Sequence, residues 1–356
     1  MGNLHVRFDE RAGVPRHSGR SALLCTRRDF VCAAGGTVLF AGVRLYGKGV
    51  SAGYPLVRFG MVTDLHYAAL GVRGGRHYRD SIRKLDEAVD LFNMRKPDFA
   101  IELGDLKDNS GGRDESIRRL EEVEKAFARF NGPRYHVVGN HDCDCITPSE
   151  FFSRTPNGGK TMDKGWYSFV CGGVTFIVLD GCFTGDMKHY NRSNPWTDAN
   201  IPPEQLAWLE RELAAARRHV VVFVHQRLDP ASERHHLMKN AELVRKTLET
   251  SGKVRAVVMG HQHNGGNSEV NGIPYYTLRA MVEGPAPESS SYAEGAIWPS
   301  GAFTVTGWRK AKGLDDNDAA RRAEVQGVTM GYEYSQPHYP RLSPSRFALW
   351  RSSWRS

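Results

Sequence analysis

Five short clusters of polar residues punctuate the chain: Asp64-Leu65-His66, Gly104-Asp105, Gly139-Asn140-His141-Asp142, a single His225, and Gly260-His261-Gln262-His263. Carboxylates and imidazoles are hard-to-borderline ligands, whereas asparagine offers only a neutral amide oxygen, suited to an ion already held by stronger donors. The set therefore suits two divalent ions, with no thiolate needed. One aspartate bridging both would offset part of their repulsion, and Asp105 is placed for that role. Two ions ~3.5–4 Å apart can clamp a phosphoryl group, acidify a shared water and stabilise the attacking and leaving oxygens of an in-line displacement. The chemistry expected is hydrolysis of a phosphoester by a metal-bridging hydroxide, without a covalent intermediate.

Singly, the clusters say little. Asp-x-His or Gly-Asp usually caps a turn, and a lone histidine such as His225 is usually a satisfied structural group. Gly139-Asn140-His141-Asp142 is the most specific, because glycine permits a sharp exit and three functional side chains follow directly. His261 and His263 point the same way if extended geometry continues past the glycine. What joins the five is position: each begins within a few residues of the end of an apolar run that reads as a strand.

Those strands are expected over 56–62, 99–103, 134–138, 166–170, 174–179, 220–224 and 254–259, with further ones over 273–277 and 302–306. Three helices lie between them. Tyr78, Ile82, Leu85, Val89 and Phe92 recur at helical spacing before Pro97; Ile117, Leu120, Val123, Phe127 and Phe130 before Gly132-Pro133; and Leu206, Leu209, Leu213 and Ala216 after Pro202-Pro203. These apolar stripes, Tyr78 included, read as core. Cys171-Gly172-Gly173 reads as the turn of an antiparallel hairpin. The alternation predicts a layered α/β domain. In open α/β sheets the loops beyond the carboxyl ends of strands build the binding crevice, so five such loops can converge on one site.

The net charge of +8 is unevenly spread: residues 1–52 hold eight basic and three acidic residues, which account for +5 of it. The remainder does not predict a nucleic-acid partner. The same segment runs from a basic stretch through Thr26-Arg27-Arg28-Asp29-Phe30-Val31 into an uncharged apolar run over 30–43, which resembles a twin-arginine export signal. That run is short for a membrane span of about 20 residues, and Gly35-Gly36 weaken a helix. Val50-Ser51-Ala52 offers a cleavage point before Gly53. The expectation is an export signal over 1–52, the twin-arginine machinery as partner, a periplasmic or extracellular location and no stable membrane span. Cys143, Cys145, Cys171 and Cys182 lie beyond the signal and are taken as structural, since no second pair stands at zinc-site spacing. The domain is expected over 53–309, followed by an irregular tail over 310–356, whose Tyr332, Tyr334, Tyr339, Trp350 and Trp354 read as an appendage rather than a docking motif.

In their order, the motifs resemble those of the calcineurin-like metallophosphoesterases, over roughly residues 56–306. The resemblance implies a four-layer αββα sandwich, with one metal on Asp64, His66, Asp105 and His263 and a second on Asp105, Asn140, His225 and His261. It implies two ions of manganese, iron or zinc. His141 is then the catalytic histidine, acting on the leaving oxygen, with Asp142 either orienting it or capping the next turn. A closer resemblance joins Asp64-Leu65-His66-Tyr67-Ala68, Gly75-Arg76-His77-Tyr78-Arg79-Asp80-Ser81 and His263-Asn264-Gly265-Gly266 to the manganese-dependent ADP-ribose/CDP-alcohol diphosphatases, which commonly carry glutamine where this chain has His66. It implies a small nucleotide-derived phosphorylated substrate, with Arg73, Arg76 and Arg79 as candidate phosphate contacts or else a solvated helix start. Two alternatives stand beside it: a cyclic-nucleotide or general phosphodiesterase or phosphomonoesterase of the same superfamily, and a non-catalytic metal-binding module. The second predicts lost ligands, and none is lost.

Overall fold

The structure is a computed structural model that describes residues 54–314. The segment over 1–52, expected to be an export signal, and the chain beyond 314 lie outside the described residues. In order, the elements are β1 (Val57–Val62), α1 (Ser81–Arg95), β2 (Phe99–Glu102), α2 (Arg113–Phe127), β3 (Arg134–His136), α3 (Pro148–Phe152), β4 (Tyr167–Cys171) and β5 (Val174–Val178). There follow α4 (Pro203–Ala215), β6 (Val220–Val224), α5 (Ala241–Thr250), β7 (Val254–Met259), β8 (Gly266–Val270), β9 (Ile273–Thr277), β10 (Ser291–Ile297) and β11 (Phe303–Arg309).

Successive strand side chains point to opposite faces, and here both faces are apolar. In β5 and β6, Phe176, Val178, Val221 and Phe223 face one core while Ile177, Val220, Val222 and Val224 face another. Such strands must be covered on both sides. The strands form a five-stranded sheet, β11-β10-β1-β2-β3, and a six-stranded sheet, β4-β5-β6-β7-β9-β8. Between the sheets lies a core in which Phe59 and Phe99 stack at 5.2 Å and Phe99 meets Phe176 edge-on at 4.9 Å. Burying each such ring contributes roughly 1.5–3 kcal/mol. A second core joins α1 and α2 to the first sheet through Leu85, Phe92, Leu120 and Phe127, and a third joins α4 and α5 to the other through Leu209, Leu213, Val244 and Leu248. Helix, sheet, sheet, helix is the four-layer sandwich.

Both sheets are mixed. β1, β2 and β3 run parallel and so do β5, β6 and β7, while β4 pairs antiparallel with β5 through the Cys171-Gly172-Gly173 turn. The parallel strands end together, which places their following loops at one edge of each sheet. Several elements differ from the sequence reading. Tyr78 precedes α1 in a single 3-10 turn and packs with Ala68, Ala280 and Val282. α3, α5, β8 and β10 are additional: β10 is buried along its length and pairs antiparallel with β1, yet its sequence Ser-Tyr-Ala-Glu-Gly-Ala-Ile has no β-branched alternation to announce it. The chain also stays packed past Arg309, where Tyr276 Oη donates to the Lys312 carbonyl at 2.6 Å and Leu314 meets the inter-sheet core. The four cysteines among the described residues are free.

Candidate metal centre

Each polar cluster leaves a strand within a few residues of its end: Asp64 and His66 after β1, Asp105 after β2, Asn140 after β3, His225 after β6, His261 and His263 after β7. Four of these residues hold left-handed backbone, with φ of 50° at Asp64, 46° at His66, 58° at Asp105 and 69° at His261. Such a conformation costs about 1–3 kcal/mol for a residue with a side chain. It is held by bonds between neighbouring loops, as where His66 N donates to Asp105 O at 2.8 Å and His261 N to Asp64 Oδ2 at 3.0 Å. The glycines of the motifs have a packing reason. A Cβ on Gly104, at φ 102°, would stand 2.4 Å from His225 Nδ1, and one on Gly139 would stand 2.3 Å from Asp105 N.

Two groups of donors result. In one, His66 Nε2 lies 3.1 Å from His263 Nε2, and Asp64 Oδ1 lies 3.8 and 3.6 Å from the same two atoms. In the other, His225 Nε2 lies 3.2 Å from both Asp105 Oδ2 and His261 Nδ1. Asp105 Oδ2 is also 3.5 Å from His66 Nε2, so this oxygen stands between the two groups. The donor set fits a pair of cations. Asp64 Oδ1 and Asn140 Oδ1 are buried without a hydrogen-bond partner, a loss of about 1–3 kcal/mol each unless a cation meets them. Mutual separations of this size suit ligands at about 2.0–2.2 Å from a shared ion.

Electrostatics agree. Burial opposes charge on His66, yet Asp108, Asp64 and Asp105 carry its pKa up to about 10. Burial also opposes charge on His225, and Asp105 and Asp64 carry it up to about 9. The Asp64 carboxyl, despite its burial, is held well below the usual carboxylate range by His66, His225 and His263. Burial and then the neighbouring His225 push His261 well below the usual imidazole range. The carboxylates thus create a site that demands positive charge.

Outer contacts aim the rings, as metal-ligating histidines require. Asp108 Oδ2 lies 3.3 Å from His66 Nδ1, Glu283 Oε1 lies 2.6 Å from His263 Nδ1, and His225 Nδ1 meets the Leu103 carbonyl at 2.8 Å. Glu283 is itself positioned by the buried Lys84, whose Nζ donates to the carbonyls of Met281 at 2.7 Å and Gly284 at 2.6 Å. His141 lines the cleft and is 32% exposed, with Nδ1 3.3 Å from Asp108 Oδ1 and 3.8 Å from Asp144 Oδ2.

Of the two roles expected for Asp142, orienting His141 or capping the next turn, its hydrogen bonds are nearer the second: it holds backbone. Its carboxylate accepts backbone N–H bonds from Gly139 at 2.8 Å, Asp105 at 2.9 Å and Leu106 at 2.9 Å. It braces two ligand-bearing loops, and the carboxylates at His141 are Asp108 and Asp144. Asp108 was legible in principle, three residues past Asp105 in the same loop; Glu283 had no local signal.

The cleft over these ligands has a volume of about 620 Å³. Of the three arginines read as phosphate contacts, Arg76 lines it, 3.6 Å from Glu283. Arg79 turns instead to the Ala69 carbonyl at 2.9 Å, and Arg73 is exposed in the turn before Arg76. Arg279, which no sequence pattern singled out, lines the cleft with Arg76.

Fold and site together define a metal-dependent phosphoester hydrolase. The chain belongs to the calcineurin-like phosphoesterase family, whose model matches residues 57–265. It is 30% identical over 296 residues to a manganese-dependent ADP-ribose/CDP-alcohol diphosphatase of Oryza sativa subsp. japonica, covering 70% of this chain and 91% of the relative. Identity to the protein of the same description from Arabidopsis thaliana is 27% over 282 residues, covering 67% and 90%. Among solved structures, a dimetal phosphatase from Danio rerio superposes with a TM-score of 0.61 at 21% identity, over 73% of this chain and 98% of that one, a likeness of fold.

Proposed function

We propose that the protein hydrolyses the phosphoanhydride bond of a nucleoside-diphosphate-linked compound, the class named by its diphosphatase relatives, with manganese as the metal. The observation that carries this reading is the pair Arg76 and Arg279 in the cleft of the ligand cluster. A single phosphate is satisfied by the metal centre; a second calls for its own cationic receptor, and guanidinium meets phosphate with two parallel hydrogen bonds.

In this reading Asp64, His66 and His263 hold one ion, Asn140, His225 and His261 the other, and Asp105 reaches both. Bound there, the ions supply charge for the phosphoryl oxygens and an acidified water as nucleophile. The chain's own residues do the rest. With Nδ1 engaged by Asp108 at 3.3 Å, the His141 ring is oriented so that Nε2 is the atom that serves the leaving oxygen. Arg76 and Arg279 hold the phosphate that is not attacked and so fix the line of displacement.

The test is hydrolysis of ADP-ribose, CDP-choline, a cyclic nucleotide and a simple monoester by the purified protein with manganese. The two diphosphates should exceed the others in kcat/KM by at least about tenfold, equivalent to ~1.4 kcal/mol. Equal, feeble rates on all four would overturn the reading. The proposal extends to location, on the strength of Arg27-Arg28 and the apolar run after them. Replacing both arginines by lysine should retain the protein inside the cell; unimpaired export would count against a twin-arginine route.

A further inference from the structure

Between β6 and α5 the chain brings Glu233, His235 and His236 to the wall of the same cleft. Neither the ligand cluster nor His141 makes use of them. Glu233 Oε2 lies 3.2 Å from His235 Nε2 and 3.6 Å from His236 Nδ1, and the three donor atoms all fall within 4.8 Å of one another. Ligands at about 2.1 Å from a tetrahedral ion stand about 3.4 Å apart, so both carboxylate–imidazole separations are those of shared coordination. His236 Nδ1 is buried and has no hydrogen-bond partner, a state that protein interiors seldom leave to a polar atom.

The group is held in place. His236 lies with its ring centroid 5.4 Å from that of Trp196 and 5.1 Å from that of His261. Glu233 N donates to Gln262 Oε1 at 3.2 Å, and the same oxygen accepts from Arg227 Nη1 at 2.8 Å. Arg227 is buried in a two-pronged pairing with Asp229, at 2.9 and 2.6 Å. The segment is thereby tied to the loop that carries His261 and His263. A simple ion pair would engage Glu233 with one imidazole and leave the other unmatched; a cation engages all three.

We propose that Glu233, His235 and His236 form a third divalent-cation site on the cleft wall, beside the dinuclear centre, for zinc or a similar borderline metal. Three protein ligands leave a further position open to the cleft. A substrate oxygen fits that position, and on the diphosphatase reading it belongs to the phosphate that is not attacked.

The experiment strips the full-length protein with a chelator, equilibrates it with zinc by dialysis and counts ions per chain by emission spectrometry. The wild type should hold three, and Glu233→Gln and His235→Ala two each. Both side chains are about half exposed, 50% and 53%, so neither variant threatens the fold, and matching thermal unfolding curves confirm it. A wild type with two ions, or variants that keep its full count, overturns the site. For its use, the variants should lose about tenfold more in kcat/KM on ADP-ribose than on p-nitrophenyl phosphate. Equal rates on ADP-ribose would overturn the phosphate contact. Because the count involves no substrate, failure of the diphosphatase reading leaves it unaffected.

Discussion

Asp108 Oδ1 stands 3.3 Å from Nδ1 of His141, and the other oxygen of the same carboxylate stands 3.3 Å from His66. One side chain thus orients both a candidate metal ligand and the candidate general acid. Asp108→Asn should lower kcat by about 10–100-fold and weaken metal binding as well. Asp142→Asn should behave differently, because it sets an amide against backbone N–H donors. It should cost about 1–3 kcal/mol, or several degrees of Tm at about 2–4 °C per kcal/mol, with kcat per folded molecule nearly kept. Steady-state kinetics beside thermal unfolding separates the two.

His141 stands at the cleft without belonging to either donor group. His141→Ala should reduce turnover by about 10²–10⁴-fold while metal content stays at the wild-type value. Loss of metal together with activity would assign His141 to ligation.

Metal removal should destabilise the fold, since Asp64 and Asp105 are then left buried beside one another. Chelation should lower Tm, and manganese should restore it in a concentration-dependent way. His66 and His225, carried up to about 10 and about 9, are protonated at pH 7 when no metal is bound and must be neutral to ligate. Binding at pH 7 should therefore release about two protons, and affinity should fall as pH falls. Calorimetric titration in two buffers of different ionisation enthalpy measures the number.

Glu102 is buried beneath the centre, and burial, with Asp142, Asp64 and Asp105 close by, raises its pKa well above the usual value. Oε1 accepts from Gly104 N at 2.8 Å, while Oε2 has no partner, as suits a neutral carboxyl. Above the unfolded-state value of about 4.5 the unfolded chain binds fewer protons than the folded one, so this group makes stability fall as pH rises. Glu102→Gln removes that dependence. The metal-free variant should gain stability relative to wild type as pH rises above about 4.5, measured by denaturant unfolding at a series of pH values; a constant difference would show Glu102 ionised.

Much of the fold was legible because buried parallel strands write themselves as apolar runs. The runs over 220–224 and 254–259 coincide with β6 and β7, and His225 follows the first and the glycine-led Gly260-His261-Gln262-His263 the second. β10 was not legible, since a Ser/Ala/Gly-rich strand owes its place to the Phe59 side of β1: a Cβ on Gly295 would meet the Phe59 ring at 2.5 Å. Tyr78 kept its burial but not its helix, because periodicity reports which residues are covered, not which backbone covers them.

What the sequence determined by itself was the set of candidate donors, since each sits just past a strand whose apolar pattern is local. Only the tertiary structure decided which carboxylate serves His141, that Glu283 aims His263 from 20 residues away, and that Arg76 rather than Arg73 or Arg79 lines the cleft beside Arg279. The reason is physical: a motif records the backbone turn it makes, whereas hydrogen bonds between separate loops and the walls of a cleft arise only when the two sheets pack and bring those loops together.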